Sequence, residues 1–261
     1  MKKVIILFMV LASFSLQASG KNVSDNVTKM SRGDVKIIEA TENIRYLSQK
    51  IAKEYLFFYA YPQNRKIKKD LHQTLKALSN NLQIISAMTK DADTNNILEF
   101  LAYSKEEILN ILQKEPSSEY AILMLDYSET LLEGADSIGR TYAYTFSREE
   151  EMLVVSKNIS YLLERIMKYY MALYQGYNTQ NNRVNLHKAI AEIKTYFARL
   201  NRYEYPEKID KIRQHVNLVW QKENRTLKEV DHYFIPVLLA DSVIYMEKNM
   251  DLLALYHSQN L

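Results

Sequence analysis

The side chains best suited to chemistry in this chain are few and scattered. Glu229-Val-Asp-His232 puts a carboxylate and an imidazole one helical turn apart, the spacing with which di-iron bundles hold metal. Such a site needs a second Glu-x-x-His pair and two further glutamates, and one copy occurs, so no metal site is expected. His72 and His187 fall in different halves of the chain and are not expected to meet. Glu149-Glu-Glu151 reads as a solvated acidic run at a helix N-terminus. Without cysteine, the chain has no disulfide, no thiolate metal site, no acylated cysteine and no covalently attached c-type haem. Neither a nucleophile-elbow glycine motif nor a phosphate loop occurs, so the expectation is a non-enzyme with no cofactor.

Tyrosine is abundant, and Tyr55, Tyr59 and Tyr61 are answered by Tyr169, Tyr170, Tyr174 and Tyr177. Their hydroxyls could rim a ligand mouth or a partner groove; packed rings with wet hydroxyls are the more ordinary outcome. The segments carrying them are helical by pattern. Ile44, Leu47, Ile51, Tyr55 and Phe58 recur at three- and four-residue steps, which places them on one side of a helix. Glycine and proline are scarce and no alternating strand pattern appears, so the fold class is all-α.

The spacing predicts helices over about 34–61, 65–90, 96–114 and 119–146, and again over about 148–177, 184–203, 206–224 and to Ser258. Pro62, Pro116 and Pro206 punctuate them, and Pro236 starts or kinks the last. Gly134 and Gly139 sit inside the fourth helix, where each costs about 1 kcal/mol against alanine and so points to a close helix contact.

The halves answer each other residue by residue. At an offset of 115, Asn43, Ile44, Tyr46, Leu47, Ile51, Lys53, Tyr55 and Tyr59 meet identical residues, and at 114 Leu125, Ser128, Glu133 and Tyr142 do so. Amphipathic periodicity explains shared apolar positions but not shared Asn, Lys and Tyr, so the expectation is an internal duplication. It gives two tandem antiparallel four-helix bundles, 34–147 and 148–261, after a lead over 21–33. No breaker separates Phe146 from Glu151, so the fourth helix is expected to run on into the fifth and stack the bundles end to end.

Residues 1–20 read as a cleavable secretory signal. Lys2 and Lys3 precede an apolar run from Val4 to Leu16, and Leu16-Gln-Ala18 or Ala18-Ser-Gly20 offers a small-residue cleavage site. The expected location is the periplasm. Removing Lys2 and Lys3 takes the formal charge from +3 to +1, too little to attract nucleic acid or an anionic membrane.

Arg45-Tyr-Leu-Ser-Gln-Lys-Ile-Ala-Lys53 resembles the Arg-Met-Leu-Ser-Gln-Arg-Met-Ala-Lys signature of the type IV pili methyl-accepting chemotaxis transducer N-terminal (PilJ-type) domain, related to NarX-type nitrate sensor domains. The second half keeps the frame as Tyr161-Leu-Leu-Glu-Arg-Ile-Met-Lys168 without the Ser-Gln. The resemblance implies periplasmic four-helix bundles in tandem. It also implies an anion site at Arg45, since in NarX-type sensors the matching arginine binds nitrate at a dimer interface. A guanidinium fork suits a small planar oxyanion, and Ser48 and Gln49 follow at i+3 and i+4. Lys50, at i+5, points away from that face and pairs more naturally with Glu54. The second half has Ser160 at the Arg45 position, so an internal pair supplies one arginine only. A helix-surface salt bridge to Glu42 is the plainer role for Arg45.

The expected function is therefore an exported sensory module. It would present a small-molecule or anion ligand, bound at Arg45, Ser48 and Gln49, to a membrane-bound chemotaxis transducer or sensor kinase, with a homodimer as one form. The alternative is a structural or adaptor protein.

Overall fold

A computed structural model describes residues 32–261; the expected signal and most of the lead lie outside the described residues. The described residues form eight α-helices: α1 Arg32–Ala60, α2 Arg65–Met88, α3 Ala92–Leu112, α4 Ser118–Thr141, α5 Arg148–Tyr174, α6 Gln180–Leu200, α7 Glu207–Thr226 and α8 Pro236–Ser258. A 3-10 turn, Leu227–Glu229, follows α7.

Polar caps set most boundaries. Asn64 accepts from the Lys66 and Ile67 amides to start α2, Asp91 from Thr94 to start α3, and Ser117 from Tyr120 to start α4. Thr179 accepts from the Asn182 amide, which starts α6 four residues before the periodicity predicts. Pro236 opens α8, where its missing N–H costs nothing.

The expected run-on from the fourth helix into the fifth does not occur. Helix α4 ends at Thr141, and Ser147 begins α5 with a reciprocal capping box: its hydroxyl accepts from the Glu150 amide while Glu150 accepts from the Ser147 amide. Between them Tyr144 donates to Glu150 at 2.5 Å and packs edge-on against Phe146. The chain reverses there, and instead of stacking end to end the two sets of four helices lie side by side.

Helices α1 to α4 close a ring in which α1 touches α2 and α4, and α3 touches the same two; α5 to α8 close theirs in the same order. The rings join through α1 and α5. Arg45 meets Asn158 near one end of this seam and Leu56 meets Gln175 toward the other, so the two helices run parallel. Residues 32–261 lie in one compact unit with a continuous core through both rings. Helix α5 is enclosed on nearly every side from Met152 to Leu173, so its polar residues must find partners inside the protein.

Gly134 explains how α3 and α4 approach. A Cβ there would fall 2.5 Å from Leu101 Cδ2, whereas one on Gly139 would rest at an ordinary 3.6 Å from Thr41 Oγ1. The close contact belongs to Gly134 alone of the two.

Candidate functional site

The parallel α1–α5 seam carries two polar clusters, one toward α4 and α6, the other toward α2 and α8. Helical spacing produces them. Arg45 and Gln49 fall one turn apart on α1, and Arg165 and Lys168 likewise on α5.

In the first cluster Arg45 Nη1 donates to Glu42 Oε2 at 2.8 Å and to Asn158 Oδ1 at 3.0 Å, and Nε lies 2.7 Å from Asp136 Oδ1. The guanidinium also sits 4.5 Å above the Tyr161 ring. Burial works against its charge, but Glu42 and Asp136 outweigh it and raise the pKa. Ser48 donates to the Arg45 carbonyl at 2.7 Å. Gln49 donates to Ser48 Oγ at 3.0 Å and accepts from Arg165 at 3.2 Å. Both Ser48 and Gln49 are completely buried. The three residues singled out by the sequence thus do come together, but as a clasp binding α1 to α4 and α5. An anion at Arg45 would have to displace two carboxylates.

The clasp continues along α5. Arg165 makes a two-pronged pair with Glu129 at 3.0 and 2.9 Å, and Lys168 donates to Glu129 and, at 3.0 Å, to Ser128. Burial alone would raise the Glu129 pKa, yet Lys168 and Arg165 bring it down to about 2. Burial brings Lys168 down to about 8 in spite of Glu129.

The second cluster is less balanced. Lys53 Nζ donates to Glu164 Oε1 at 2.7 Å, and the Glu247 carboxyl lies close to that of Glu164. Tyr46 reaches Glu247 and accepts from Lys50 at 3.0 Å, and Glu54 meets Thr74. Lys53 and Glu54 are each 8% exposed, Glu247 9%, and Glu164 not at all. Burial pushes the Glu54 carboxyl up to about 7 and, with Glu164, drives Glu247 well above the usual carboxylate range. Burial disfavours the Lys53 ammonium, but Glu164, Glu247 and Glu54 together raise its pKa.

Above this cluster lies an open groove of about 950 Å³ between α2 and α8, with α1 as its floor. Leu47, Phe57, Ile67, Val237 and Ile244 supply apolar wall, and Lys50, Lys53, Glu54 and Glu247 supply charge at the base. An apolar cleft with a few convergent polar groups is the usual form of a small-molecule site. Sequence periodicity does not find it, because its two walls come from opposite ends of the chain. The one available signal was the set of charged residues on the otherwise apolar sides of α1 and α5.

The tyrosines split by depth. Tyr55, Tyr169 and Tyr170 are buried in the core, Tyr170 accepting the Ile235 amide at 2.7 Å, while Tyr174 is exposed. Glu149 is not merely solvated: it accepts from Tyr203 and lies 2.7 Å from His257 Nδ1, whose Nε2 is 2.9 Å from the Tyr205 hydroxyl. His257 is fully buried and pins the end of α8 to the start of α5, a role the sequence did not reveal. Lys50 bonds Tyr46 rather than Glu54. Among the described residues no group of three or more His, Asp and Glu is placed to hold a metal, and no helix is long and apolar enough to cross a membrane.

Compared with known proteins, the chain matches no family model, no curated protein and no solved structure.

Proposed function

We propose that this protein is a non-enzymatic ligand-binding module whose site is the α1–α2–α8 groove. The carrying observation is the groove itself: about 950 Å³ of mostly apolar wall ending on buried ionisable groups of the α1–α5 seam. A ligand seated there touches helices from both rings and rests on the contact that joins them. Binding would bias how α1 and α5 pack, and a partner docked on the outer helices would read the change. The resemblance of Arg45–Lys53 to PilJ-type sensor domains supports a sensory role with a membrane-bound partner, and the run from Lys2 to Gly20 supports export to the periplasm.

The test is thermal unfolding with a panel of amphipathic metabolites, beside Ala240→Trp, which puts an indole into the groove from α8. A saturable rise in Tm for the parent chain that Ala240→Trp abolishes is the expected result. An equal rise in both chains would remove the groove from the proposal.

A structural or adaptor role is the second reading. Leu238, Tyr245 and Leu252 on α8 favour it, since these large side chains stand exposed at seven-residue spacing, as for a partner helix. Co-purification of a partner that is lost in the double charge variant Leu238→Glu/Leu252→Glu, with no small-molecule stabilisation, would favour it.

A further inference from the structure

The charges around the groove are unequal. Lys50, Lys53 and Lys66 face Glu54, Asp70, Asp241 and Glu247, and Glu164 stands behind Lys53. Two of those lysines are already engaged, Lys53 with Glu164 and Lys50 with the Tyr46 hydroxyl.

The carboxyls are not satisfied to the same degree. Among the described residues Glu54 Oε2, Glu164 Oε2 and Glu247 Oε1 are buried and accept no hydrogen bond. An unmet buried acceptor is costly, and more so when charged. Glu247, driven toward its neutral acid, can turn its own proton to Glu164, whereas Glu54 Oε2 has no such partner. Glu54 and Glu247 are more than nine-tenths buried and both line the groove at its base.

We propose that the groove binds an organic ammonium, an amphipathic cation whose apolar body lies along Phe57 and Ile244 and whose N–H groups donate to Glu54 and Glu247; this rests on the ligand-binding reading above. The orphaned atoms are all acceptors, and an ammonium offers donors only. An anion would face four carboxyls and find two of its three lysines taken. A neutral alcohol would satisfy one oxygen and leave the Glu54 charge uncompensated.

Calorimetric titration of the whole chain at pH 8 with hexylammonium, hexanoate and 1-hexanol separates these. Hexylammonium alone is expected to bind saturably. Glu54→Gln/Glu247→Gln should weaken it by about tenfold or more, as expected from the loss of both carboxyl acceptors. Asp241→Lys, at an exposed position on the α8 wall, offers a second variant that tests the charge without touching the buried cluster and should also weaken binding. Hexanoate or hexanol binding as well as hexylammonium, or undiminished affinity in both variants, would overturn the ammonium while leaving a groove ligand in place. No binding by any of the three would overturn both readings.

Discussion

Lys53 and Glu164 form an ion pair across the α1–α5 seam, Nζ to Oε1 at 2.7 Å, with both side chains shut away from solvent. The pair joins the two rings at the floor of the groove. Its net contribution to stability is limited by the desolvation of both ions, but each partner is intolerable without the other.

Lys53→Met should therefore cost about 3–5 kcal/mol in urea unfolding, because Glu164 keeps its burial and loses its cation. The double variant Lys53→Met/Glu164→Leu should recover most of that loss. A single-variant cost below about 1 kcal/mol would mean that the pair does not hold the seam.

Glu54 sets a pH dependence. Its carboxyl titrates near 4.5 when unfolded and at about 7 when folded, so between those values the folded chain holds the extra proton. The contribution is fully present below about pH 4.5 and is lost as pH rises through 7, amounting to about 3 kcal/mol at most. Glu54→Gln should flatten that part of the stability curve and leave the variant more stable than the parent at pH 8. Parallel curves for parent and variant in chemical unfolding from about pH 4.5 to 8 would refute this.

The two glycines of α4 should respond with opposite sign. Gly134→Ala drives its Cβ into Leu101, a fully buried side chain, and should cost about 1–3 kcal/mol despite alanine's better helix propensity. Gly139→Ala meets Thr41 at ordinary distance and should add about 0.5–1 kcal/mol. Thermal unfolding of the two variants checks both.

Much of this was legible in the residues alone. The three- and four-residue recurrence through Ile44, Leu47, Ile51 and Tyr55 is a property of helix geometry, and those residues are buried as it requires. Turns at Pro62, Pro116 and Pro206 follow from a backbone that cannot donate there. The stop between α4 and α5 was also written locally, as Ser147-x-x-Glu150, a capping box that outweighs the absence of glycine or proline.

What the chain's pattern determined by itself was the all-helical class and most helix boundaries, since these depend on neighbours within one or two turns. Only the tertiary structure decided that α1 and α5 lie parallel, that Arg45, Ser48 and Gln49 are spent on Glu42, Asp136 and Arg165, and that Glu54 and Glu247 face one groove. Those outcomes turn on which charges meet across helices far apart in the chain. Periodicity places a side chain on a face of its own helix; it carries no information about what stands opposite.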